Sequence, residues 1–140
     1  MMIKKVLIVE DEMDMRIFIS TLLETNGYKP VATRDGKEGL QKAQEEKPDL
    51  IILDVMMPGE GGVYMYRQLK TDKMLKDIPV VMLSAVAEKT FTHYLNMLNI
   101  RLEHNIPHPD SYMEKPPDAE ELLRILEDQF SSDPSRRYNL

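Results

Sequence analysis

Short apolar runs that stop abruptly at polar residues recur along this chain, and helical patterns separate them. The run at residues 6–9 is followed by Glu10 and Asp11, and the run at residues 50–53 is followed by Asp54. Runs of this length are typical of buried strands, and their alternation with helical stretches predicts a parallel sheet with crossover helices. The sequence therefore predicts an α/β chain whose polar side chains collect at the carboxyl ends of its strands.

The pattern accounts for five strands and five helices. Strands are expected at about residues 4–9, 28–33, 50–54 and 80–84, with a short fifth strand around Met113 that ends at Lys115. Pro30 cannot donate to a ladder, so the second strand belongs at a sheet edge. The apolar stripes expected on the five helices are Met15, Phe18, Ile19, Leu22; Leu40, Ala43; Val63, Tyr66, Leu69; Phe91, Tyr94, Leu95, Leu98, Leu102; and Leu122, Leu126, Phe130.

Length and composition limit the classes of protein that the chain can be. Its 140 residues suit one domain, expected over residues 1–130, with an extended fourth helix and loop at about 88–110 and a polar tail at 131–140. The absence of cysteine excludes thiolate metal sites, and no apolar stretch is long enough to cross a bilayer. The net charge of −6 argues against nucleic acid as a direct partner. We expect a soluble cytoplasmic protein that does not bind membranes.

Four strand ends carry residues that could do chemistry: Glu10 with Asp11, Asp54, Ser84 and Lys115. In a sheet whose first, third, fourth and fifth strands are neighbours, these ends lie together. Crowded carboxylates repel one another unless a cation neutralises them, and Mg²⁺ suits a few carboxylates, waters and phosphate oxygens. One carboxylate could then attack phosphorus to give an aspartyl phosphate, with Mg²⁺, the lysine and the serine hydroxyl on the phosphoryl oxygens.

These residues stand in motifs that resemble the receiver domain of two-component response regulators over nearly the whole chain. The matching stretches are Val9-Glu10-Asp11-Glu12, Asn26-Gly27-Tyr28, Asp35-Gly36-Lys37-Glu38, Leu53-Asp54-Val55-Met56-Met57-Pro58, Gly62, Leu83-Ser84-Ala85 and Glu114-Lys115-Pro116. The resemblance implies a flavodoxin-like, doubly wound (βα)5 fold with the parallel strand order 2-1-3-4-5. It also implies a stand-alone signalling switch, a monomer or weak dimer, rather than a conventional enzyme.

The resemblance further implies a role for each site residue. Asp54 would accept a phosphoryl group from a sensor histidine kinase or a histidine phosphotransferase, and Ser84 and Lys115 would bind that group. The ligands implied for Mg²⁺ are Glu10, Asp11, Asp54 and the backbone carbonyl of Met56. Ser84 and Tyr112 would form a switch that remodels the surface of the fourth helix, fifth strand and fifth helix, and thereby controls binding of a downstream effector protein.

The chain departs from the family pattern in several places. The stretch between Ser84 and Lys115 is longer than usual by roughly two to three helical turns. We predict that this extension tunes partner choice; a tolerated surface insertion is the alternative. Glu10 stands where aspartate is more frequent, which keeps the charge but lengthens the reach. Met56 and Val86 offer no side chain to orient an attacking water, which predicts slow loss of the phosphoryl group.

The histidines fall in one segment, as His93, His104 and His108. His104 and His108 have a spacing that can bind zinc on a helix, but Pro107 and Pro109 argue against a helix there. Solvated or partner-facing histidines are the favoured interpretation.

Three rival functions remain open. A degenerate receiver would dock proteins without being phosphorylated. A Mg²⁺-dependent phosphohydrolase similar to haloacid dehalogenases would need a second aspartate where Met56 stands. A flavodoxin-like flavin-binding protein would need a Ser/Thr-rich phosphate loop where the acidic residues 10–12 stand.

Overall fold

A computed structural model of the chain describes residues 2–55, 62–103 and 105–131, and within them strands and helices alternate as predicted. The strands are β1 (Lys5–Val9), β2 (Lys29–Thr33), β3 (Leu50–Leu53), β4 (Val80–Ser84) and β5 (Ser111–Glu114). The helices are α1 (Met13–Thr25), α2 (Gly36–Glu46), α3 (Gly62–Thr71), α4 (Glu88–Leu102) and α5 (Ala119–Gln129).

All five strands form one parallel sheet in the order β2-β1-β3-β4-β5, which confirms the predicted fold and strand order. In the register of neighbouring strands, Val9 lies opposite Leu53, Leu53 opposite Met82, and Ser84 opposite Glu114. The carboxyl ends of β1, β3, β4 and β5 therefore lie in line at one edge of the sheet. The strand that contains Pro30 is at the side edge of the sheet, as its missing amide proton requires.

Two apolar cores cover the faces of the sheet because side chains alternate across each strand. In β1, Val6 and Ile8 join the core formed with α1 and α5, whereas Leu7 and Val9 join the core formed with α2, α3 and α4. The central strands β3 and β4 are buried along their whole length. A sheet packed on both faces leaves its carboxyl edge as the place where polar side chains can meet.

Two residues of the predicted apolar stripes do not face the core. Phe18 is 39% exposed and Tyr94 is 46% exposed, so the stripe prediction was wrong for both. The buried stripe of α1 passes instead through Ile19 and Leu23, four residues apart, which turns Phe18 by about 100° away from the core. Phe91, Leu95 and Leu98 form the buried stripe of α4 and leave Tyr94 at its border.

The segment between α4 and β5 is held against the domain by several polar contacts. Ile106 is buried, and the side chain of Asn99 bonds both its amide nitrogen and its carbonyl oxygen at 3.0 Å. The Tyr66 hydroxyl donates to the carbonyl of Pro107 at 2.5 Å. Asp110 accepts a bond from the amide of Val80 at 2.9 Å. Residues 105–110 are therefore an anchored, non-helical segment.

The histidine prediction concerns the same region. His108 Nε2 lies 3.3 Å from Asn96 Oδ1, and His104 is outside the described residues. Among the residues described, the acidic group that could share a metal ion contains no histidine. None of the described helices has the length and apolar character needed to span a bilayer.

Candidate functional site

Two buried carboxylates stand at neighbouring strand ends. Glu10 directly follows β1 and is 1% exposed, and Asp54 directly follows β3 and is 4% exposed. The amide of Asp54 donates to the carbonyl of Val9 at 2.9 Å, and the amide of Glu10 donates to that of Thr33 at 3.1 Å. These bonds continue the ladders of the sheet by one residue, which fixes both carboxylates at its carboxyl edge.

Lys115 brings a positive charge to the same place. Its amide donates to the carbonyl of Ser84 at 2.8 Å, which ties the residue after β5 to the end of β4. Its ammonium lies 2.8 Å from Glu10 Oε1 and 3.1 Å from Asp54 Oδ2. A third carboxylate, that of Glu12, is also 3.1 Å away. The structure therefore brings Glu10, Asp54 and Lys115 together from three strand ends.

Burial and charge act in opposite directions on the ionisable groups of this site. Burial raises the pKa of Glu10 to about 7, although the Lys115 ammonium and the Glu12 amide favour its charged form. Burial alone would lower the pKa of Lys115, but its bonds to Glu10, Asp54 and Glu12 outweigh that effect and raise the pKa. Lys115 therefore stays protonated and supplies a fixed cation among carboxylates.

The turn from β1 to α1 gathers oxygen ligands. One carboxylate oxygen from each of Glu10, Asp11 and Glu12 lies within 4.8 Å of the others. The guanidinium of Arg16 donates to the carbonyls of Glu10 and Asp11 at 2.8 and 2.9 Å, which holds the turn in shape. An all-oxygen, all-carboxylate group suits a hard divalent cation such as Mg²⁺.

This group differs in part from the predicted ligand set. The group on the turn consists of Glu10, Asp11 and Glu12, whereas Asp54 is linked to Glu10 by a direct side-chain hydrogen bond and by the shared Lys115 ammonium. Met56, the predicted backbone ligand, lies outside the described residues. The sequence assigns no role to Glu12, because a glutamate that follows an acidic pair has no spacing that marks it. Its position becomes evident only once α1 begins at Met13 and turns it toward Lys115.

The two predicted switch residues lie side by side. Ser84 is buried at the end of β4, and its hydroxyl accepts a bond from the amide of Val86 at 3.0 Å. The Tyr112 hydroxyl donates to the carbonyl of Val86 at 2.5 Å, and its ring centroid is 5.7 Å from that of Phe91. Burial raises the pKa of Tyr112, while a hydrogen bond to Ser84 opposes the increase. A movement of the Ser84 side chain would therefore alter the contacts of Tyr112, and through the Tyr112 ring those of Phe91 on α4.

Comparison with known proteins agrees with this geometry. The family model of the response regulator receiver domain matches residues 6–127. The phosphate regulon transcriptional regulatory protein PhoB of Escherichia coli is 42% identical over 88 residues, which are 63% of this chain and 38% of PhoB. The chain thus matches well under half the length of that relative.

A shorter relative and a solved structure extend the comparison. The polar-differentiation response regulator DivK of Brucella ovis is 43% identical over 89 residues, which are 63% of this chain and 72% of DivK. The structure of the chemotaxis response regulator CheY4 of Vibrio cholerae superposes with a TM-score of 0.78 at 27% identity, covering 92% of this chain and all of that one.

Proposed function

Because the chain belongs to the response regulator receiver domain family, we propose that it is a phosphorylation-controlled signalling switch in which Asp54 accepts the phosphoryl group. The observation that carries the proposal is the Lys115 ammonium, which lies within 3.1 Å of the buried carboxylates of both Glu10 and Asp54. A carboxylate at a strand end beside a fixed cation has the surroundings that phosphoryl transfer needs.

The proposed step exchanges one bond to phosphorus for another. An oxygen of the Asp54 carboxylate attacks the phosphorus of a phosphohistidine on a kinase or phosphotransferase. The phosphorus–nitrogen bond breaks, its electron pair leaves with the imidazole ring, and Asp54 becomes an acyl phosphate. Lys115 balances the charge on one phosphoryl oxygen, and the Ser84 hydroxyl offers a hydrogen bond to another.

Mg²⁺ is the cofactor that we propose for this site. Glu10, Asp11 and Asp54 with the Met56 carbonyl are the proposed ligands, and the carboxylates gathered on the turn at residues 10–12 support them. When bound, the ion would neutralise negative charge on the phosphoryl group and its surroundings. The residues of the chain would do the rest by holding the acceptor, the ammonium and the hydroxyl in place.

The output of the switch is proposed to be protein binding. Phosphorylation would add roughly −1.5 to −2 charges at Asp54. The contact of Ser84 with Tyr112, and of Tyr112 with Phe91 of α4, supports a path from the site to the face of α4, β5 and α5. That face carries three exposed apolar side chains one turn apart on α4, namely Tyr94, Met97 and Ile100. A row of this kind suits a protein partner, and we propose a downstream effector.

The phosphoryl donor must reach Asp54 from outside, so the surface beside the site should contact it. The first turns of α1 follow the acidic turn directly and expose Met13 and Ile17. We propose that a histidine kinase or histidine phosphotransferase contacts α1 here. Operation without an attached output domain stays a prediction.

One experiment separates this function from unphosphorylated docking. The chain is incubated with acetyl phosphate and Mg²⁺ and its intact mass is measured, with Asp54→Asn as the test variant. Asp14→Asn is the control, because it removes the same charge from an exposed residue on α1. We expect a gain of one phosphoryl group, reversed by hydroxylamine, in wild type and Asp14→Asn but not in Asp54→Asn. A wild-type protein that gains no mass would favour the docking function.

A further inference from the structure

Glu12 contacts the same ammonium as the two buried carboxylates. Its Oε1 lies 3.1 Å from Lys115 Nζ, beside Asp54 Oδ2 at 3.1 Å and Glu10 Oε1 at 2.8 Å. Glu12 and Asp54 each accept a hydrogen bond from the ammonium, and Glu10 forms an ion pair with it. A phosphoryl oxygen that approaches Lys115 must therefore compete with three carboxylates for a single positive charge.

The three carboxylates differ in exposure, and this difference indicates which of them a phosphoryl oxygen would displace from Lys115. The side chain of Glu12 is 64% exposed, whereas those of Glu10 and Asp54 are 1% and 5% exposed. An exposed ion pair exchanges with water at little cost. A buried carboxylate that loses its cation is left with an uncompensated charge, which is far more costly. Glu12 is therefore the contact that a phosphoryl group would displace.

We propose that Glu12 is a positioning residue that competes with the phosphoryl group for Lys115 and thereby sets how readily Asp54 is phosphorylated. This inference rests on the proposed function of Asp54. In the resting protein Glu12 completes the shell around the ammonium. During transfer the Glu12 carboxylate leaves one N–H group of Lys115 to the incoming phosphoryl oxygen and turns toward water.

The backbone of Glu12 does a separate job that does not need its side chain. Its amide donates to Glu10 Oε2 at 3.1 Å, and its carbonyl accepts from the amide of Arg16 at 3.0 Å. Glu12 is the N-cap of α1, yet its side chain makes no capping bond. Glu12→Gln should therefore leave both the turn and the start of α1 intact.

If Glu12 were instead a ligand of Mg²⁺, its loss would slow phosphorylation rather than favour it, so an experiment can separate the two roles. The Glu12 carboxylate also lies within 4.8 Å of those of Glu10 and Asp11. If Glu12 mainly held Mg²⁺, its loss would weaken Mg²⁺ binding and slow phosphorylation. If Glu12 mainly bonds Lys115, its loss frees an N–H group of the ammonium. The concentration of acetyl phosphate needed for half the maximal rate should then fall.

The test measures initial rates of phosphorylation against acetyl phosphate concentration at saturating Mg²⁺, for wild type, Glu12→Gln and Glu12→Ala. Asp14→Asn is the matched control, since it removes one charge from the same end of α1. Mg²⁺ affinity is measured separately by NMR titration. For both Glu12 variants we expect half-saturation at about two- to fivefold lower acetyl phosphate, the size of one exposed ion pair, with an unchanged maximal rate. The half-saturating acetyl phosphate concentration of Asp14→Asn should differ much less from that of wild type.

The proposal is overturned if the Glu12 variants match Asp14→Asn, or if they react more slowly in step with weaker Mg²⁺ binding. It is equally overturned, together with the function of Asp54, if wild type gains no phosphoryl group. Phosphorylation of wild type with unaltered kinetics in the Glu12 variants would remove only the role of Glu12.

Discussion

The Glu10 carboxylate and the Lys115 ammonium lie 2.8 Å apart, although 105 positions of sequence separate the two residues and each follows a different strand. Parallel pairing of β1, β3, β4 and β5 brings them to the same edge of the sheet. Asp54 lies between their strands and shares the same ammonium. The electrostatic conflict between crowded carboxylates is thus resolved within the protein by Lys115, and a bound divalent cation would add to that neutralisation.

Removing the ammonium should destabilise the protein unless another cation replaces it. Lys115→Gln leaves Glu10 and Asp54 with less compensation, and an uncompensated buried polar group costs about 1–3 kcal/mol, or more when charged. We expect the free energy of unfolding in urea with EDTA to fall by about that amount, and the deficit to narrow with Mg²⁺. Lys37→Gln, at an exposed lysine, is the control. An unchanged stability in EDTA would show that Lys115 does not neutralise the site.

The close approach of α2 to β1 should not tolerate a methyl group. A Cβ on Gly39 would lie 2.9 Å from both Val9 Cγ2 and Met65 Sδ. Alanine is favoured over glycine within a helix by about 1 kcal/mol, but overpacking a core costs about 1–3 kcal/mol. We expect Gly39→Ala to be less stable than wild type in thermal and urea unfolding. A more stable variant would mean that the Met65 side chain moves aside freely.

The anchored segment at residues 105–110 should depend on Asn99. Asn99→Ala removes two bonds to the backbone of Ile106 and should lower stability by about 1–3 kcal/mol. It should also speed amide hydrogen exchange at Ile106, while acetyl phosphate still modifies Asp54. Asn96→Ala serves as the control, because its contact with His108 is exposed. Equal exchange at Ile106 in both variants would argue against this anchor and leave the extension as a tolerated insertion.

Tyr66 should make stability depend on alkaline pH. Burial raises the pKa of its hydroxyl above that of a free tyrosine, so the folded state holds the proton more tightly than the unfolded state. Its stabilising contribution is complete below the unfolded pKa of 10.0 and is lost as the pH rises toward the folded value. Tyr66→Phe should therefore be less stable at pH 8 by about 1 kcal/mol, with a deficit that shrinks at higher pH. Tyr64→Phe, at an exposed tyrosine, should show no such trend.

Most of the fold could be predicted from the sequence, because the apolar runs and the polar residues that follow them indicate the same alternation of strands and helices. Apolar runs mark the strands, and the polar residues that follow them mark the carboxyl edge, so the proximity of Glu10, Asp54 and Lys115 could be predicted from the sequence. The strand order came with the family resemblance, and the pairing confirms it.

Other features depend on geometry that spacing does not encode. Helical periodicity could not tell whether α1 buries Phe18 or Leu23, since both positions fit an apolar stripe and only packing selects one. The bonds of Asn99 to Ile106 join a helix to a loop across seven residues and leave no periodic signal. The contact of Glu12 with Lys115 likewise requires the exact start of α1.

The most direct test of the central claim locates the phosphoryl group on the chain. Protein treated with acetyl phosphate and Mg²⁺ is reduced with borohydride, which converts a phosphorylated aspartate to homoserine, and is then mapped by peptide mass spectrometry. We predict homoserine at position 54 alone. Homoserine at another acidic residue, or at none in folded protein with Mg²⁺ present, would contradict the assignment of Asp54 as the acceptor.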